Sequence, residues 1–147
     1  MEWLQKFLGL PSERRGLLLT SVLALFGVRA ALVIMPYTKA RACLHRIGYR
    51  KRLKMDEEEY IRAVSWAVEV VARRFDRAIT CLSKAMVAEW LLFQSGIHTE
   101  LCVGVNAGEK GVQMGFHAHA WLTHRGQVIV GVIERLDRYR VFSGSKG

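Results

Sequence analysis

Two short segments hold residue types able to do nucleophilic chemistry. Thr80-Cys81-Leu82-Ser83-Lys84-Ala85 reads as the start of a helix with a cysteine in its first turn. About forty residues later, Gly115-Phe116-His117-Ala118-His119-Ala120-Trp121 reads as a strand. A thiol attacks only as thiolate. A helix N-terminus supplies about half a positive charge, and a nearby imidazole can take the proton. If Cys81 and a histidine of the strand meet, the chemistry is cysteine-dependent acyl transfer, and peptide-bond cleavage above all.

Side chains on a strand alternate between faces. His117, His119 and Trp121 therefore share one face, and Phe116, Ala118, Ala120 and Leu122 the other. The small alanines beside His119 suit close packing of a helix, which would present Cys81 to the imidazole. The backbone N–H of Cys81 is a natural oxyanion donor, because the first helical N–H groups have no partner inside the helix. Trp121 reads either as a wall of the cleft or as a core aromatic. A rival reading of His-x-His is metal binding, with His124 or Cys81 as third ligand. It is disfavoured because no carboxylate or cysteine stands at a typical ligand spacing. The expected chemistry needs no cofactor.

The elements that must position these residues are legible from period and punctuation. Residues 56 to 75 form an amphipathic pattern, with Asp56 as cap and Glu59 as its capping-box acid. The next helix runs from Cys81 to Ser95, capped by Thr80 and stopped by Gly96. Strands follow over 101–105, 114–123 and 128–132, with a loop over 106–111 and a hairpin turn at His124-Arg125-Gly126-Gln127. Glu134 to Val141 is a polar tail that can return to the sheet. Helices followed by an antiparallel meander make the class α+β.

Residues 12 to 35 form an apolar run that Ser12 can cap as a helix and Pro36 ends. Arg29 interrupts it, and a mid-span arginine costs roughly 2.5–3.5 kcal/mol on the translocon scale. The favoured expectation is therefore a helical segment packed on the domain or on a partner. Membrane contact through residues 17–35 is the alternative. The expected division is an N-terminal hydrophobic and basic helical segment, 1–54, and a second domain, 55–147.

The chain has 147 residues and 51% hydrophobic composition, enough for one real core. Its net charge is +9, and part of that lies in Arg14, Arg15, Lys39, Arg41, Arg46, Arg50, Lys51, Arg52 and Lys54. Such a block is a solvated face, or it meets an acidic peptide, a protein or anionic lipid. No zinc finger, RNA-recognition sequence or aromatic-basic interleaving supports nucleic acid as a partner. Cys43, Cys81 and Cys102 are widely spaced and odd in number, which argues against a disulfide scaffold and suits a reducing cytoplasm. Cys43 and Cys102 read as ordinary buried thiols.

The run Cys81-Leu82-Ser83-Lys84-Ala85, Leu91-Leu92, Gly96-Ile97, Gly104-Val105, Phe116, Ala118-His119-Ala120-Trp121, Gly126 and Arg138-Tyr139 resembles the lasso-peptide leader peptidases. These are the stand-alone peptidase half of the split B protein, with a transglutaminase-like, papain-related cysteine protease fold. The resemblance covers about residues 55 to 142. It implies removal of the leader from a ribosomally made precursor peptide. It implies a small leader-binding protein as partner, and an asparagine-synthetase-like, ATP-dependent cyclase acting afterwards. It implies Cys81 as nucleophile and His119 as general base, with His117 at a variable position that shapes the substrate site. The family places an Asp on the strand after the histidine strand, where this chain has Val130-Gly131-Val132. Glu134 is the expected third member, Asp137 its alternative, and a Cys–His dyad stays open. A transglutaminase or amidase would use the same thioester. A non-catalytic scaffold would use only the fold.

Overall fold

The computed structural model describes residues 2–48, 54–106 and 117–146, without the side chains of residues 2–4, 117 and 143–146. The expected loop at 107–111, the expected strand start at 114–116 and the basic residues Arg50, Lys51 and Arg52 lie outside the described residues.

Prolines punctuate the N-terminal third. Helix α1 is Glu2–Leu8, α2 is Ser12–Ile34 and α3 is Tyr37–Arg46. Pro11 caps α2 with φ −54° and accepts from Arg15 N–H at 3.0 Å. Ser12 is thus the first helical residue and not the cap, because proline already holds the φ that a helix start needs. Pro36 ends α2 and caps α3 with φ −65°. Helix α4 is Glu57–Arg74, and Asp56 accepts from Glu58 N–H at 3.1 Å. Three glutamates open α4 and Arg73-Arg74 close it, in keeping with the helix dipole. Helix α5 is Cys81–Gln94, and it ends at Gly96 with φ +76°.

Leu25 and Val28 of α2 share one hydrophobic core with Val64 and Val68 of α4 and Met86 and Leu92 of α5. The boundary expected at residue 54 therefore divides no core. Arg41, expected on a basic surface, is turned inward onto Glu89, with Nε 2.9 Å from the carboxylate. Cys102 is buried as expected, but Cys43 is exposed, because α3 buries only Ala40 and turns Cys43 outward.

Four strands form one antiparallel sheet in the order β3-β2-β1-β4: β1 is Glu100–Asn106, β2 His117–His124, β3 Gln127–Val130 and β4 Arg140–Lys146. Arg125 (φ +49°) and Gly126 (φ +80°) make the two-residue turn between β2 and β3. β3 stops at Val130, short of the expected Val132, because Gly131 takes φ +83°. The expected polar tail does return to the sheet. It crosses from β3 to the far edge, makes a 3-10 turn over Leu136–Arg138, and pairs as β4 with β1. Helices on one side of an antiparallel sheet make this an α+β fold.

Candidate active site

The position of Cys81 follows from the start of α5. Thr80 N–H donates to Ser83 Oγ at 3.0 Å, and Ser83 N–H donates to Thr80 Oγ1 at 3.3 Å. Ser83 is fully buried, so the inner half of this reciprocal cap is shielded from water, while Thr80 is exposed. It fixes Cys81 as the first residue of the helix, where the N–H groups of Cys81 and Leu82 have no intrahelical acceptor. The preceding loop is also anchored. Ala78 and Ile79 N–H donate to Phe75 O at 2.9 and 3.0 Å, and Arg29 Nε donates to Ala78 O at 3.2 Å. The arginine that interrupts the apolar run thus reaches the loop just before Cys81.

The sheet presents His119 from the other side. Leu101, Ala120 and Leu122 belong to the core beneath the helices. His119 and Trp121 alternate to the opposite face, under the β3–β4 connection. The last β2–β3 pair is Leu122↔Val130. Past it the flank of β2 is open, and the start of α5 fills it. There the Cys81 thiol faces the His119 side chain and the Ala120 N–H, close enough for both to lower its pKa.

The other ring nitrogen is also held. His119 Nε2 lies 2.8 Å from Gly131 O. A carbonyl only accepts, so Nε2 carries a proton and Nδ1 is left for the thiol. Gly131 can make this bond because φ +83° suits glycine, and because a Cβ there would sit 2.8 Å from Ala120 O. The place expected for Glu134 or Asp137 is thus filled by a main-chain carbonyl. Both acids are exposed, since the chain turns outward after Gly131.

The electrostatics of the pair agree in direction. The His119 hydrogen bond pulls the Cys81 thiol below its ordinary range, helped by the N–H groups of Ala120 and Leu82 and opposed by burial. The Cys81 hydrogen bond lifts His119 above its ordinary range, helped by Gly131 O and opposed by burial and by Lys84. Lys84 is itself held 3.2 Å from Glu69. Both shifts favour thiolate and imidazolium together. Such a pair can attack a carbonyl carbon and protonate a leaving amine.

Trp121 and Tyr139 support the imidazole. The His119 and Trp121 rings are 6.1 Å apart at 17°, and Tyr139 is 5.8 Å from His119 and 6.4 Å from Trp121. Trp121 is only 4% exposed, so it backs the imidazole more than it lines an open cleft. Gly104 makes room for it, since a Cβ there would meet the indole at 2.9 Å. The His117 side chain lies outside the described residues. His124 sits at the far end of β2, with Nδ1 2.8 Å from His98 O and Nε2 3.2 Å from Glu57. Among the described residues, no group of three His, Cys, Asp or Glu side chains is placed to hold a metal ion. Sequence reasoning gave Ala120 only a packing role, named Tyr139 only within the resemblance, and gave no role to Gly131. A glycine directly after Val-Ile-Val was the available signal for Gly131.

No curated protein and no solved structure matches the chain. A family model described as the transglutaminase-like superfamily matches residues 22–144, beginning inside α2 and ending inside β4. The match spans the core, Cys81, His119 and the β3–β4 connection. The chain belongs to the transglutaminase-like superfamily.

Proposed function

We propose that the chain is a cysteine peptidase that removes the leader from a ribosomally made lasso-type precursor peptide. The observation that carries the peptidase reading is the juxtaposition of Cys81, the first residue of α5, with a His119 ring held by Gly131 O at 2.8 Å. The leader-peptidase reading rests further on the resemblance of Cys81-Leu82-Ser83-Lys84-Ala85 and Ala118-His119-Ala120-Trp121 to that family's motifs.

In this reading the Cys81 thiolate attacks the scissile carbonyl carbon, and a C–S bond forms. The oxyanion is held by the Cys81 N–H at the helix start. The His119 imidazolium gives its Nδ1 proton to the leaving amine as the C–N bond breaks. Neutral His119 then takes a proton from water, and hydroxide attack on the thioester frees the new carboxylate and restores the thiolate. The Gly131 carbonyl keeps the ring in the tautomer this sequence of steps needs. A small leader-binding protein would deliver the precursor, and an asparagine-synthetase-like cyclase would take the product. The site would work in the cytoplasm. A transglutaminase differs only in admitting an amine where the peptidase admits water.

The test is mass spectrometry of a precursor peptide incubated with the chain, with and without its leader-binding protein. The expected result is cleavage at one bond, lost in Cys81→Ala and in His119→Ala. Transfer of an added primary amine in place of cleavage would make the protein a transglutaminase. No turnover with the partner present would overturn the enzymatic reading.

A further inference from the structure

Helix α2 has a second face that the Cys81 chemistry leaves unexplained. Leu17, Leu25 and Val28 point into the core. Leu19, Leu23, Phe26, Val33 and Ile34 point away from it, at 56, 76, 41, 72 and 80% exposure. Steps of three and four residues line them up, with exposed Ala30 between Phe26 and Val33. The helix has 23 residues and runs about 35 Å. Single exposed leucines are ordinary, but a continuous aliphatic stripe marks a contact surface.

Three observations select the occupant. The stripe offers nothing to hydrogen-bond. Thr20 beside it donates its hydroxyl to Gly16 O at 2.9 Å, and Arg29 is drawn inward to Ala78 O. A typical protein interface rims its apolar core with polar residues and carries about ten direct hydrogen bonds, whereas acyl chains require none. The borders of the stripe are cationic. Phe26 packs edge-on against exposed Phe75 at 5.1 Å, and exposed Arg73, Arg74 and Arg77 surround Phe75 in sequence, outnumbering the one exposed acid there, Asp76. Exposed Lys39 follows the end of α2. Anionic headgroups complement that border. The helix is also anchored on its inner side. Ser21, Leu25 and Val28 are at most 3% exposed, and crossing a membrane would pull them from the core.

We propose that α2 lies flat on an anionic lipid bilayer, with its outward aliphatic stripe among the acyl chains and Lys39, Arg73, Arg74 and Arg77 at the headgroups. This holds whichever acyl substrate the Cys81 site takes. The Phe75–Thr80 loop then leads directly from the membrane surface to Cys81.

The test is flotation of the full chain with vesicles of equal parts phosphatidylglycerol and phosphatidylcholine, and with phosphatidylcholine alone. Light scattering without lipid gives the oligomeric state. Binding to the anionic vesicles is expected, with at least a tenfold loss in Leu23→Asp/Val33→Asp and in Arg74→Glu/Arg77→Glu, by roughly the weight that apolar insertion and basic residues carry at such surfaces. All four side chains are exposed, so an unchanged thermal melt shows that the variants fold. Equal binding to neutral vesicles, no binding to anionic ones, or unchanged binding by either variant overturns the proposal. So does a lipid-free oligomer that Leu23→Asp/Val33→Asp dissociates, which would make the stripe an interface between copies of the chain.

Discussion

His119 Nε2 is 2.8 Å from the carbonyl oxygen of Gly131, a residue with φ +83°. This bond does the orienting work that a carboxylate does in Cys–His–Asp sites, and it comes from the backbone. A carbonyl fixes the tautomer, but it adds no full negative charge. The thiolate of Cys81 is then the main counter-charge of the imidazolium.

The bond makes Gly131 the sensitive position and the nearby acids insensitive ones. Gly131→Ala forces a Cβ to within 2.8 Å of Ala120 O in a backbone conformation unsuited to alanine. A loss of about 1–3 kcal/mol of stability is expected, with a large fall in turnover. Glu134→Gln and Asp137→Asn change exposed side chains, and should leave turnover within about twofold. Thermal melts and initial rates on the three variants check this. A severe loss in Glu134→Gln alone would return the role to a carboxylate.

Arg29 gives a second prediction. Its Nε holds Ala78 O at 3.2 Å, two residues before the Thr80 cap. Arg29→Met keeps the packing length but removes the donor. A loss of about 1.5–3 kcal/mol is expected, because the donor is charged. Cys81 alkylation should slow severalfold as the loop loosens, with Cys43 alkylation as the unaffected control. Equal rates at Cys81 would mean that the Thr80–Ser83 cap alone sets the nucleophile.

Much of this arrangement was legible because its signals are local. Thr80 before Cys81 and Gly96 after α5 are capping chemistry, and the pattern from Asp56 onward is plain helical period. Arg125-Gly126 specifies its turn by positive φ. What was not legible depends on non-local placement. The Gly131 carbonyl meets His119 only because β3 stops one residue earlier, and a main-chain acceptor has no side-chain signature. Tyr139 reaches His119 because the β3–β4 connection crosses the sheet face, a consequence of β4 pairing with β1. Arg41 looked like surface charge because its partner, Glu89, is 48 residues away. The packing of α2 is non-local in the same way, since the mates of Leu25 lie on α4 and α5.

The Arg41–Glu89 pair carries a third prediction. Glu89 is 3% exposed, so its carboxylate depends on the guanidinium from α3. Arg41→Met leaves that charge buried with only His45 Nε2, 3.6 Å away, beside it, and should cost about 3–5 kcal/mol. Arg41→Met/Glu89→Leu removes both charges and should recover most of the loss. Denaturant unfolding of the single and double variants measures it. A single variant as stable as wild type would show that the pair is not what ties α3 to α5.

The central claim is that Cys81 and His119 form a thiolate–imidazolium pair. The sign is definite. A lowered thiol pKa keeps thiolate at lower pH, and a raised imidazole pKa keeps imidazolium at higher pH. For the pair to persist, these shifts must carry the thiol below the imidazole, and its pH window then lies between the two values. The pair is lost on the acid side as Cys81 protonates, and on the alkaline side as His119 deprotonates. The most direct measurement is the pH dependence of Cys81 alkylation by iodoacetamide, read at the Cys81 peptide by mass spectrometry. Wild type should show its inflection below the ordinary thiol value of about 8.5. His119→Ala should move it back up, because the His119 hydrogen bond is the largest cause of the lowering. An inflection at the ordinary value that His119→Ala leaves in place would contradict the account.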